Sequence, residues 1–312
     1  MSAGKVPYLY IVGASFSGST LLAFLLNAHP RMVSVSEVCG VLPHELIEAP
    51  DSYRCSCGEK LLECPFYSDL QQRIRASGSS FDLRDWKNHF QLTDRRWLQI
   101  LLTRPLRWGW AETLRNMASS LVPGQRAKRH EVARRNLHFA RSTLELSGKQ
   151  LFVDAQKEPA RVRFLSGIDE IDLYVIHLVR DARAGASSYM KHNPRNDAAR
   201  AARRWRSANL TSDYVNRYVP ASRWMLQRYD ELCADHQGVI DRIADFTGTE
   251  RAPIPDDFYA AEHHIVGNQM RLGAATGIRL DQSWRKRLSE EQIETIKRVA
   301  GAANRRFGFD WP

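Results

Sequence analysis

The chain has no apolar run near the roughly 20 residues that a membrane-spanning helix needs. Its opening, MSAGKVPYLYIVGASF, has one lysine, no long apolar core and no cleavage-site pattern. Tyr8–Val12 therefore reads as a first strand, and a cytoplasmic location is expected. Cysteine is scarce: Cys39, Cys55, Cys57, Cys64 and Cys233 are the only five. An odd count without a secretory leader argues against a disulfide framework. Zinc-finger spacing, an RNP-type strand and a helix-turn-helix signal are all missing, so nucleic acid is not an expected partner. Internal repeats and long low-complexity linkers are missing too. Acidic residues are outnumbered, 35 Asp and Glu against 45 Lys and Arg, for a net charge of +10 and a pI near 9.6. That balance favours anionic ligands, and it leaves room for peripheral membrane contact through basic helices. The 312 residues, 43% hydrophobic and 26% charged, suit one large α/β domain or two small ones.

Against these absences stands one informative stretch, YLYIVGASFSGSTLLAFLLNAHP, residues 8–30. A short apolar run is followed by a Gly/Ser loop, Gly13–Thr20, and then by a helical apolar pattern from Leu21 to His29-Pro30. Gly13-x4-Gly18-Ser19-Thr20 has the spacing of a phosphate loop, G-x-x-x-x-G-K-[ST], with Ser19 in place of the lysine. Glycines turn successive N–H groups toward one anion, and the helix N-terminus adds its positive dipole end. Without the lysine that reaches a β/γ-phosphate, the loop suits a phosphate but not triphosphate hydrolysis.

Arg31–Glu37 is a candidate second strand ending at Ser36-Glu37. Residues 40–80 read mostly as loop, with a helix near Phe66–Ala76. Cys55, Cys57 and Cys64 cluster there in CSCGEKLLECPF. With Cys39 as fourth ligand they could hold a metal, though the spacing is not the usual C-x2-C. A redox-labile pair and a reduced, packed loop are the other readings. Residues 82–148 hold Trp86, Trp97, Trp108 and Trp110 among arginines at helical spacing. Leu98, Leu101 and Leu102 predict one apolar face and Asn136–Leu146 another, in a helical insertion that could serve as lid or acceptor wall.

Strands are expected at Gln150–Val153, Leu173–Val179 and Trp224–Tyr229, and helices near 163–165, after Asp181, over 197–219 and over Gly238–Thr247. Ser289 with Gln292 predicts a capping box opening a last helix. Alternating strands and helices imply an α/β fold with a largely parallel, phosphate-loop-type sheet flanked by helices. Ligands sit at the carboxyl ends of such strands. Gly13, Glu37, Lys157 and Arg180 all fall there.

A lysine-less phosphate loop at the start, and LVRDARAGASSY after a late strand, together resemble the PAPS-dependent sulfotransferases, nearer their glycan- and tyrosine-sulfating branch. The resemblance implies 3′-phosphoadenosine 5′-phosphosulfate (PAPS) as donor and adenosine 3′,5′-bisphosphate as product, with no metal required. Phe16, Ser17, Gly18, Ser19 and Thr20 resemble the 5′-phosphosulfate loop, [KR]-S-G-[ST]-[ST], and Ser15 just before them is a further candidate for binding the donor. Phe16 departs from that pattern, standing where most members carry a cation. Arg180 and Ser188 keep the spacing of the family's 3′-phosphate grip. The resemblance also implies Glu37 as the catalytic base and Lys157 as a contact to the transferring sulfonate. Tyr229, in Arg-Tyr-Asp-Glu-Leu, matches the tyrosine near the adenine, and Gly267, Asn268 and Arg271 match a late donor-covering loop. The acceptor is expected to be a small molecule, glycan or lipid bearing a hydroxyl or amine, and a homo-oligomer is compatible with the sequence. The alternatives are a kinase- or NTPase-like protein with a degenerate loop, and a non-catalytic nucleotide- or polyanion-binding module.

Overall fold

A computed structural model describes residues 4–40, 53–106, 108–120, 122, 124–267, 272 and 277–311. Strand β1, Val6–Gly13, is buried along nearly all its length. It alternates Tyr8, Tyr10 and Val12 into one hydrophobic cluster with Leu9 and Ile11 into another, so both sheet faces are covered. Helix α1 (Ser19–Ala28) leads to β2 (Met32–Ser36). Helices α2 (Pro65–Ala76), α3 (Arg96–Thr103), α4 (Gly109–Ser120) and α5 (Gln125–Ser147) precede β3 (Leu151–Lys157). Then come α6 (Pro159–Leu165), β4 (Ile171–Val179), α7 (Ala182–His192) and α8 (Ala198–Tyr214). Strand β5 (Trp224–Arg228) is followed by α9 (Tyr229–Ala234), α10 (His236–Thr247), α11 (Trp284–Arg287) and α12 (Glu290–Arg306).

The five strands run parallel in the order β2-β3-β1-β4-β5. The central β1 is flanked by β3 and β4, which brings their carboxyl ends beside the Gly/Ser loop. Asp181 caps α7 by accepting from Arg183 N at 2.7 Å. Ser289 and Gln292 form the expected capping box at α12. Among the described residues, no helix is long and apolar enough to cross a membrane.

Strand β3 runs past Val153, where the sequence reading ends it. The acidic Asp154 that signals a strand end is fully buried instead. Its carboxylate accepts from Tyr8 Oη at 2.7 Å and from Arg161 Nε at 2.9 Å. The Arg161 guanidinium continues to Asn136 Oδ1 at 2.6 Å and to the Asn88 carbonyl at 2.9 Å. This buried polar chain ties the 82–148 region to β1 and β3. Burial, followed by the neighbouring Asp154 carboxylate, pushes the Tyr8 phenol well above its ordinary pKa, so it stays a donor.

The expected apolar face of α3 does not form as read: only Leu102 is buried, while Leu101 is exposed and Leu98 half-buried. Packing anchors the helix at its end alone, so Trp97, and Trp108 and Trp110 around α4, face outward. The second face does form, with Leu137, Phe139 and Ala140 of α5 in the core. At β5 the strand stops one residue earlier than read, because Tyr229 opens α9.

Candidate active site

Glycine at position 18 carries the geometry of the loop. It caps α1 in the left-handed region at φ 97°, with no side-chain cap among the described residues and no acidic residue in the first turn. The first N–H groups of a helix have no intrahelical partner, so Ser19 and Thr20 present theirs to whatever fills the loop. The Tyr229 ring lies directly on Gly18: a Cβ there would come within 2.2 Å of ring carbon Cδ2. Burial, then the adjacent Cys233, pushes the Tyr229 phenol up and keeps it neutral.

Ser15, Phe16, Gly18, Ser19 and Thr20 line a cleft of about 470 Å³ together with Glu37, Lys157, Arg180, Ser188 and Tyr229. Ser17 instead turns inward, 2% exposed, and its hydroxyl finds no hydrogen-bond partner among the described residues. Residues far apart in the chain thus meet at the ends of β1 to β4 and the start of α9. Asn268 and Arg271 lie outside the described residues. Gly267 is described, at φ 105°, and a Cβ on it would reach within 2.5 Å of Glu37 Cδ.

Lys157 Nζ donates to Glu37 Oε1 at 2.7 Å, with both side chains part-buried. The backbone carrying this pair is unusual. Phe16, Ser36 and Lys157, at or just past the ends of β1, β2 and β3, all adopt left-handed φ values of 65° to 70°. Such conformations cost a non-glycine residue about 1 kcal/mol or more, and they gather at ligand sites.

Arg180 holds the other side. Its guanidinium lies 4.8 Å from the Tyr229 ring centroid, and Nη1 donates to the Phe16 carbonyl at 3.3 Å. Nη2 donates to the Asp281 carboxylate at 3.0 Å and to that residue's carbonyl at 3.2 Å. Its Nε is buried and, among the described residues, has no partner. Burial pushes the Asp281 carboxyl up, but bonds from Ser283 and Arg180 outweigh it and hold it at about 2. The cleft therefore already contains one carboxylate on its arginine.

Lys191, His192, Asp281 and Arg287 also line the cleft and were not singled out as site residues from sequence. Lys191 had a signal, standing one helical turn beyond Ser188 on α7. Asp281 and Arg287 had none, because only tertiary folding brings them here. Phe16 stacks on His192 at 4.6 Å and meets Tyr189 edge-on at 5.1 Å. An aromatic contact thus fills the place where a cation was expected.

A family profile described as "Sulfotransferase family" matches residues 7–253. The chain belongs to the sulfotransferase family. Two solved structures are similar in fold. The sulfotransferase domain from the Synechococcus PCC 7002 olefin synthase is 18% identical, with a TM-score of 0.52, over 99% of this chain and 97% of that one. The sulfotransferase domain from the curacin biosynthetic pathway is 15% identical, with a TM-score of 0.54, over 99% of this chain and 100% of that one. No curated protein matches the sequence. The sulfotransferase's cysteines need one correction. Cys39 does not join the other three, because its buried Sγ lies 3.6 Å from Arg161 Nη1. Burial pushes the Cys39 thiol up to about 12. Cys55, Cys57 and Cys64 meet His264 instead, outside the cleft.

Proposed function

We propose that this sulfotransferase moves a sulfonate from PAPS to an acceptor hydroxyl or amine, by direct in-line transfer in the cleft of Gly18, Glu37, Lys157 and Arg180. The observation that carries the reading is the convergence of two anion-binding ends and a carboxylate–lysine pair on one cavity. The residues fit such a donor. Among the described residues, an uncapped helix N-terminus faces one end, and a part-buried arginine whose Nε finds no partner faces the other. When bound, the donor supplies a sulfonate on an activated phosphosulfate linkage and leaves as adenosine 3′,5′-bisphosphate.

The N–H groups of Gly18, Ser19 and Thr20 bind the 5′ end, and Arg180 with Ser188 binds the 3′-phosphate. Glu37 accepts the acceptor's proton, since an alcohol is a poor nucleophile until that proton has somewhere to go. Lys157 orients Glu37 and offsets negative charge at the reacting end. Lys191 and Arg287 supply positive charge that Phe16 does not. Tyr229 provides a flat neutral surface for the adenine. The acceptor enters past the 82–148 insertion. A cavity of about 640 Å³ lined by His89, Phe90, Lys128 and Glu158 supports that route, because Glu158 adjoins Lys157.

Calorimetry with adenosine 3′,5′-bisphosphate tests this. Micromolar binding is expected, and Arg180→Ala should weaken it by about 10- to 150-fold, the worth of one charge-assisted bond at roughly 1.5–3 kcal/mol. No binding by the intact protein, or an unchanged affinity in Arg180→Ala, would overturn the assignment.

A further inference from the structure

We propose that Cys55, Cys57, Cys64 and His264 form a closed, structural zinc site. The four ligand atoms all lie within 4.8 Å of one another. Cys57 Sγ is 3.7 Å from Cys64 Sγ. His264 Nδ1 is 3.3 Å from Cys64 Sγ and 3.8 Å from Cys55 Sγ. Zinc bonds of about 2.3 Å to sulfur and about 2.0–2.1 Å to nitrogen give tetrahedral edges of about 3.8 Å between sulfurs and about 3.5 Å between sulfur and nitrogen. These three separations match those edges. They are far from the roughly 2.05 Å of a disulfide. Three thiolates and one imidazole are the soft donor set that zinc prefers.

The surroundings are built for the same purpose. His264 turns its other nitrogen, Nε2, to Glu262 Oε1 at 3.1 Å, which directs the Nδ1 lone pair toward the sulfurs. Phe66 stacks on the imidazole at 4.3 Å, nearly parallel, and fixes the ring plane. Cys64 sits at the N-cap of the 12-residue helix α2, whose dipole favours a thiolate there. Cys55 and Cys57 flank Ser56 in a turn closed by Cys55 N donating to the Glu59 carbonyl at 2.9 Å. All four tetrahedral positions come from protein, so the metal has no open position and a structural role.

The site pins two distant segments together next to the cleft. Ser56 Oγ accepts from Ile265 N at 2.7 Å, and Tyr67 Oη donates to the His264 carbonyl at 2.5 Å. One residue on, Val266 N donates to the Val35 carbonyl of β2 at 3.1 Å, and Gly267 then abuts Glu37. Zinc would thereby fix the backbone against which Glu37 is held. That consequence rests on the role proposed for Glu37, whereas the metal site does not.

Elemental analysis of the intact protein, purified under reducing conditions and supplied with zinc, tests the site. About one zinc per chain is expected, lost in Cys64→Ser and retained in Cys233→Ser. Cobalt(II) added to metal-stripped protein should give the intense visible bands of a tetrahedral thiolate site, a readout independent of sulfonate transfer. Loss of zinc to a strong chelator should lower the melting temperature, because metal and fold are coupled. Substoichiometric zinc with no tetrahedral cobalt spectrum would overturn the proposal. So would intact-mass and peptide mapping that show Cys57 and Cys64 joined as a disulfide in the protein as isolated.

Discussion

Replacing Asp281 with Asn should tighten the binding of adenosine 3′,5′-bisphosphate. In the structure the Asp281 carboxylate sits on Arg180 at 3.0 Å, where the proposed 3′-phosphate must go. A ligand therefore has to break that pair first. The arginine side chain is 11% exposed but the aspartate 45%, so solvent screens the contact and limits it to about 0.5–1 kcal/mol. Removing the competition should lower the dissociation constant about two- to fivefold. The substitution is conservative. An Asn oxygen can still accept from Ser283 N, now 2.9 Å from Asp281 Oδ1, and the carbonyl still reaches Arg180. Because the carboxyl is held at about 2, it competes in full at neutral pH, and the gain should not change with pH there. Titration calorimetry of both proteins in one buffer reads the effect. Equal or weaker binding by Asp281→Asn would refute the competition, and would mean that Asp281 contributes to holding the nucleotide.

Glu37→Gln should lower kcat by about 10²- to 10⁴-fold in a labelled-donor assay while bisphosphate affinity stays within a fewfold, since a general base acts on the acceptor. Asp154→Asn should cost about 3–5 kcal/mol in urea denaturation, because it leaves the fully buried Arg161 without its counter-charge. His177 is buried on β4, and burial, only partly offset by a bond to Asn209, lowers its pKa from 6.5 to about 4. Its folded pKa lies below the unfolded one, so the stability tied to its neutral form is complete above about pH 6.5 and is lost as pH falls through about 4. Melting temperatures across that window should fall more steeply for the wild type than for His177→Gln.

How much of this was legible depended on how local each signal was. The strand, loop and helix around Gly18 are contiguous, and Arg180 and Ser188 share one strand–helix unit, so both could be matched to the family's motifs by their spacing. The place of Glu37 and Lys157 was legible through one general rule, that parallel strands gather ligands at their carboxyl ends, and their roles came only from the family resemblance. Asp281 and Arg287 were not, because nothing near them in sequence refers to Arg180. The strand through Asp154 was cut short because its partners, Tyr8 and Arg161, lie on other elements. Cys39 looked like a fourth metal ligand because it lies only 16 residues before Cys55, yet His264, 200 residues beyond Cys64, takes that corner. The outward turn of Leu101 followed from which helices found room against the sheet, which a periodic pattern does not encode.

The left-handed backbone at Phe16, Ser36 and Lys157 sets stability against activity. A search for hardier variants would reward glycine at each of these positions, since glycine accepts that geometry without penalty. At position 157 it would delete the ammonium that holds Glu37, and at 16 the ring that stacks on His192. At position 36 it would loosen the residue from which Glu37 is aimed. Heat tolerance selected without an activity screen would therefore erode this edge of the sheet first, and would leave a sturdier protein with a blunter cleft.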